Sequence, residues 1–436
     1  MLTSLARRFV LVVGACSLVA MTLGGCAGTP AKEEPKAAIP ASFAFWPLFP
    51  ADPRVQFARS LASSNDLVPK KHSQFEQVVF GKELERAAEI NKPYGVAMRD
   101  GKVYVCDMRG KAVFIFDLKK KQTRVMGATG AHPLAHPVAV CAADNGSVLV
   151  ADNQIGAIFV YDQSEKYVRP MGFPKFKPIA VAAHGDRVYA CDSGSQLVQV
   201  FDLSSGKHVG TIGEVGDEDG QFRLPVGIAC DPSGNVVVID MMRCRLQKFT
   251  PEGKLIVAWG EMGDQGGTFA RPKHIAVDRE GIAYVVDAAF QNVQMFDAQN
   301  RVLMYFGSAG GHPGAMNQPV GICVSEDGLE YVKDLMHPGF EPKRLVLVTN
   351  QFGEAKVSIY AMGELKKGFS AQDLAAAAAT VNPGVGGTPQ DIRDFQTQAG
   401  QNVEGDQPEG EQPSEQPTEP PTGNPTKPEP PKEAPK

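Results

Sequence analysis

"GEVGDEDGQFRLPVGIACDPSGNVVVIDMMRCRLQKFTPEGKLIVAWG", residues 213–260, contains four short apolar runs separated by turn residues. The runs are "PVGIAC" (225–230), "VVVID" (236–240), "RLQKF" (245–249) and "LIVAW" (255–259). Each is rich in β-branched, aliphatic or aromatic residues and is bounded by Gly, Pro or Asp, so each reads as a strand. No 3.6-residue period competes with that reading over this length.

The unit recurs on both sides. Its opening proline is matched at Pro93, Pro137, Pro178, Pro272 and Pro319, which gives spacings of 44, 41, 47, 47 and 47 residues. Its second run returns as "VYVCD" (103–107), "VLVAD" (148–152), "VYACD" (188–192), "YVVD" (284–287) and "VLVTN" (346–350). Its third returns as "VFIFD", "IFVYD", "VQVFD", "VQMFD" and "VSIYA", and most fourth runs end in a bulky residue plus Gly. Six copies of a four-stranded unit at a period of 40–47 predict an all-β, six-bladed β-propeller. Blades stack against their neighbours, so both faces of each strand are expected to be buried.

Residues 213–260 resemble an NHL repeat, and the other five units match it less closely. The resemblance covers roughly residues 90–362. The segment "FWPLFPADPRVQFARSL" (45–61) ahead of the repeats is similar to that of bacterial six-bladed NHL-type propeller proteins, many of them secreted. Bacterial relatives are often found with secreted multihaem cytochromes, so the resemblance implies an electron-transfer assembly as a setting.

The sixth unit runs out after its third strand, at "KVSIYAMG" (356–363). An N-terminal strand must therefore complete the last blade and remove the exposed sheet edge. "RVQFARSL" (54–61) is the favoured strand, with residues 72–89 helical. "VVFG" (78–81) is the alternative.

The chain ends read differently. A basic start, the apolar run "FVLVVGACSLVAMTLGG" and Leu23-Gly24-Gly25-Cys26 describe a secretory signal over 1–25 that resembles a bacterial lipobox. That resemblance implies cleavage before Cys26 and a lipid on its thiol. Ala27, which is not Asp, then points to the outer membrane, and several acyl chains on one residue anchor stably where one chain does not. Residues 26–53, rich in Pro and Ala, read as a tether and 54–362 as the propeller. Short helical segments are expected over 363–400. One is opened by the capping-box pattern Ser370-x-x-Asp373, another by Thr388-Pro389-x-Asp391. Residues 401–436, almost all Pro, Glu, Gln and Thr, have nothing to bury and are expected to be disordered.

Candidate functional residues are those that depart from the repeat. In a zigzag of four strands, the turns between strands two and three share a face with the blade connections. On this top face the repeated Asp107, Asp152, Asp192, Asp240 and Asp287 are expected to accept turn N–H groups, a structural role. The same turns carry Met108, Ile155, Met241, Met242, Phe290 and Phe352 beside Arg109, Arg243 and Arg245, the composition of a partner-binding surface. The second position after each opening proline is Gly95, Ala139, Ala180, Gly227 and Gly321, but His274 in the fifth blade, which makes His274 a candidate channel residue. Blade six carries a long insertion, residues 325–344, that should emerge on the bottom face.

The remaining chemistry is sparse. Eight histidines, His136 and His312 in top loops among them, show no metal-ligand spacing, so no metal or other cofactor is assigned. The acidic loop Asp217-Glu218-Asp219 suits an ordinary turn better than a calcium site. Besides Cys16 in the signal and Cys26, six cysteines remain, with no Cys-x-x-Cys. Five lie in or at the ends of inner strands, and Cys244, in a top turn, is expected to be the most accessible. A net charge of −5 with no basic stripe argues against nucleic acid. The favoured reading is a lipid-anchored, non-catalytic propeller that binds another envelope protein. The alternative is a propeller lyase or lactonase with a metal in the central channel.

Overall fold

The computed structural model describes residues 43–67 and 88–375. The expected signal, lipidated cysteine, most of the tether, nearly all of the expected 72–89 helix and the C-terminal tail lie outside the described residues. Within them, six small antiparallel sheets form a ring, the arrangement of a six-bladed β-propeller. Blade one is Pro93–Arg99, Lys102–Asp107, Ala112–Asp117 and Gln122–Met126, paired in that order. Blades two to five repeat the meander from Pro137, Pro178, Pro225 and Pro272. In each of the six innermost strands the register slips just after the opening proline, because Pro cannot donate to the ladder.

Blade six is built from both ends of the chain. Pro319–Ser325, Phe340–Asn350 and Val357–Leu365 pair in sequence, and Val55–Leu61 adds antiparallel to the last of them. Val55 faces Met362 and Leu61 faces Val357, so the 54–61 segment is the closing strand. Order begins earlier than the tether reading expects. Phe45–Trp46 forms a fifth strand on Val55 and Gln56, and Phe45 is buried against Phe340. Two aromatic residues here have core to fill, which the Pro-rich composition around them conceals.

The core lies in the six seams between blades rather than in one central mass. The seam between blades four and five, for example, joins Val237, Ile239 and Leu246 to Ile275, Val285 and Phe296. The seam between blades six and one joins Leu345, Leu347 and Ile359 to Val96, Val103 and Phe116. The insertion in blade six contains two short 3₁₀ turns, Leu329–Tyr331 and Lys333–Leu335, and packs Val332 and Met336 into that last seam. Buried Gln56 of the closing strand donates to the Leu335 carbonyl at 3.1 Å and accepts from the His337 N–H at 3.0 Å, which fixes the insertion to the closure. Downstream, residues 371–375 are helical. Ser370 and Asp373 cap each other reciprocally, the Asp373 carboxylate accepting the Ser370 N–H at 2.7 Å.

Candidate functional site

The repeated aspartates define the top face. Asp107 accepts the N–H groups of Arg109 and Gly110 in its own turn, and those of Asn91 and Lys92 in the segment that leads into the blade. Asp152 does the same for Gln154, Ile155, Ala135 and His136, and Asp287 for Ala289, Phe290, Ala270 and Arg271. Each carboxylate is buried and ties a turn to a blade connection. Their structural role is therefore wider than holding one turn. Blade six carries Asn350, which accepts from the Asn317 N–H and gives its amide protons to the Ala355 carbonyl and the Ser358 hydroxyl.

A second clamp was not evident from the sequence. Buried Gln247 accepts the Gly220 N–H at 2.7 Å and donates to the Gln221 carbonyl at 2.8 Å. Gln294 repeats this with Gly267 and Thr268. Both stand seven residues after the blade's aspartate, and that fixed offset is the signal that could have revealed them.

These clamps display the turn side chains unevenly. Met242 is 61% exposed and Phe352 59% exposed, and Ile155 is exposed on the same face. Met108, Met241 and Phe290 are half-buried, while Arg109 and Arg243 are exposed. Two further apolar side chains join the surface from blade connections, Val215 and Met262, both exposed. Cys244 corrects an expectation. It is 2% exposed, because a left-handed backbone (φ +49°) turns it inward among Val237, Leu246 and Phe269. Burial pushes its thiol pKa up.

At the axis, inner strands approach so closely that a Cβ on Gly95 would lie 2.6 Å from the Ala139 Cα, and one on Gly227 would lie 3.0 Å from the His274 Cα. His274 occupies this crowded register and is 8% exposed. Its Nδ1 has no partner among the described residues, and burial pulls its pKa down to about 4. The neutral imidazole is the form that this setting favours. One position earlier, where other blades place Tyr94, Val138, Ile179, Val226 and Val320, blade five places Lys273. Its ammonium sits 3.4 Å from the Met241 sulfur, and burial, followed by the neighbouring Arg271, lowers its pKa. Lys92, Lys177 and Arg271 immediately precede opening prolines, so with Lys273 four basic residues stand at the top mouth of the channel. Comparing the repeats at that register would have found them.

The other candidates are accounted for by local contacts. Asp217 pairs with Arg223 at 2.5 Å and with Arg243 at 3.6 Å, and Asp219 pairs with Arg245 at 3.0 Å, so the acidic loop is neutralised by arginines. Among the described residues, no three His, Cys, Asp or Glu side chains gather as a group that could hold a metal ion. All six described cysteines are unpaired.

Fold and face together define the class: a six-bladed β-propeller whose top surface mixes exposed apolar and basic side chains. No family model matches the chain. Solved structures are similar at low identity. One, titled a streptogramin B lyase structure, is 10% identical with a TM-score of 0.45, over 62% of this chain and 94% of that one. A structural genomics protein of unknown function from Bacteroides thetaiotaomicron is 18% identical with a TM-score of 0.48, over 63% and 70%. A calcium-binding protein, regucalcin, from Agrobacterium tumefaciens is 12% identical with a TM-score of 0.46, over 71% and 96%. At these values the likenesses carry nothing about chemistry.

Proposed function

We propose that this chain is a non-catalytic, NHL-type binding propeller, held at the outer membrane by lipid on Cys26. In this reading its top face docks an acidic envelope protein, with a secreted cytochrome assembly as the setting. The observation that supports the reading is the composition of one face. Ile155, Val215, Met242, Met262 and Phe352 are exposed there, and Arg109, Arg243 and the channel-mouth cations Lys92, Lys177, Arg271 and Lys273 stand among them. Flexible Met and aromatic side chains supply contact area, and the cations select and orient a negatively charged partner.

The test is site-specific photocrosslinking from positions 242 and 352 in the native envelope. One defined adduct is expected, lost in the double variant Met242→Asp with Phe352→Asp and unaffected by Val125→Asp on the outer rim. Adducts that survive the double variant refute the interface. A stoichiometric metal ion in the purified, folded protein would instead favour the channel-enzyme alternative.

A further inference from the structure

Around the top of the channel, one backbone position is fixed in the same way in all six blades. It is the residue just ahead of each opening proline: Lys92, His136, Lys177, Leu224, Arg271 and Gln318. In blades one to five its N–H donates to the blade's buried aspartate, and in blade six to the Gln291 side chain. Its carbonyl accepts the N–H of the residue that follows that aspartate, or that follows Asn350 in blade six. Met108 reaches the Lys92 carbonyl at 3.0 Å, for example, and Ala288 reaches that of Arg271 at 3.0 Å. Backbone donor and acceptor are both engaged, so this register offers its side chains, six of them in a ring at one height.

The ring is one-sided in charge. Lys92, Lys177 and Arg271 fall on blades one, three and five, one-third of a turn apart, with His136, Leu224 and Gln318 between them. None of the three cations forms an ion pair among the described residues, and Lys177 reaches only the Asn153 carbonyl, at 3.4 Å. Lys273 adds a fourth cation two residues further along blade five. It is half-buried, and the atom beside its Nζ is the Met241 sulfur, at 3.4 Å. Burial first, and then Arg271, lower its pKa, while Asp287 acts the other way with less effect. The Asp287 carboxylate, buried and bonded to backbone N–H groups, therefore does not cancel the repulsion between the two blade-five cations. No carboxylate side chain stands at either register, and the acidic loop 217–219 is tied up by Arg223, Arg243 and Arg245.

We propose that the channel mouth binds a small multivalent oxyanion, a polycarboxylate or a polyphosphate. Arg271 and Lys273 take one charged group on blade five, while Lys177 and Lys92 close on the others from blades three and one. Four cations with no carboxylate at these two registers call for negative charge. Their spread around the mouth calls for several charges on one ion, since a single carboxylate cannot meet three blades. At the register of Lys273 the other blades place Tyr94, Val138, Ile179, Val226 and Val320, a mostly apolar floor that concentrates the field of the cations above it. Arg gives such oxygens a planar fork of donors and Lys a compact point charge. The site shares cations with the proposed docking face but does not rest on docking, since it fills in the protein alone.

The test is calorimetric titration of the purified, folded protein with citrate and with pyrophosphate in physiological salt, paired with lysine acetylation read by mass spectrometry. At least one probe is expected to bind and to protect Lys273 from acetylation, while exposed Lys120 on the bottom face stays reactive. Lys273→Met and Arg271→Gln should each weaken affinity about tenfold, and Lys120→Met should leave it unchanged. Binding of citrate alone assigns a polycarboxylate, binding of pyrophosphate alone assigns a polyphosphate, and binding of both makes the number of charges the criterion. No binding of either probe at millimolar concentration, affinity undiminished in Arg271→Gln, or an equal loss in Lys120→Met overturns the proposal. Arg271 is exposed, so its variant decides even where Lys273→Met melts early. A failed crosslink from positions 242 and 352 would refute the docking face and leave this titration to stand by itself.

Discussion

Replacing Asp287 with Ala tests the reasoning behind the ring most directly. Its buried carboxylate accepts four backbone N–H groups, from Ala270, Arg271, Ala289 and Phe290, at 2.8–3.1 Å. Leaving one buried donor unsatisfied costs roughly 1–3 kcal/mol. The turn and the blade connection are both close to solvent, so water can recover part of this, and a net loss of about 3–5 kcal/mol is expected. That is a large share of the roughly 5–15 kcal/mol that holds a typical native state together. Asp287→Asn should recover only part of the loss. An amide offers one acceptor, and its NH₂ would face donors. Asn350 shows what an amide needs at this register, since its NH₂ is taken up by the Ala355 carbonyl and the Ser358 hydroxyl. Urea denaturation followed by the fluorescence of Trp259 in the adjacent blade measures both variants. An Ala variant within about 1 kcal/mol of the wild type would refute the clamp argument, because no arrangement of four orphaned donors is that cheap.

His274 predicts a pH dependence. Its folded pKa of about 4 lies below the usual 6.5, so the unfolded chain binds the extra proton first. Its contribution is present above about pH 6.5 and is lost as pH falls towards 4, amounting to about 3 kcal/mol. Denaturation curves at pH 7 and 4.5 should converge in His274→Gln, and an unchanged pH slope would reject the assignment. Gly95→Ala should cost about 1–3 kcal/mol through its clash with the blade-two backbone, whereas Gly210→Ala, with nothing within 4 Å of the added methyl, should be neutral or better. Equal melting of the two variants would show that the close approach of the inner strands is not limiting. Removing residues up to Leu61 should expose the edge of Val357–Leu365 and cause self-association, visible by size-exclusion chromatography. A stable monomer would mean that the closing strand is dispensable.

The repeats were legible because each blade carries the same short phrase, and because Pro and Asp mark the same two points in five of the six. The closing strand was legible from what the sixth unit lacked. Exposure was not. Met241 and Met242 are adjacent and chemically identical, yet a 3₁₀ turn over Met241–Arg243 half-buries one and displays the other. Cys244 follows them and is turned inward by a backbone angle that no composition announces. Phe45 and Trp46 were obscured by flanking prolines, although two adjacent aromatics beside a closing strand have good reason to be buried. The channel-mouth cations were missed because they depend on comparing one register across blades. Lys273 stands out only beside the residues that other blades place there.

The seam has a consequence for how the molecule is made. Phe57 and Tyr360 are partners, yet a ribosome delivers them about 300 codons apart, and bringing such distant points together carries a loop-closure cost that grows only slowly with length. Five blades pair strands that follow one another in the chain, while the sixth must wait for the final stretch. A product cut short before Val357 would therefore carry its first strand with no sheet to join, and an unsealed row of amides would mark it for disposal.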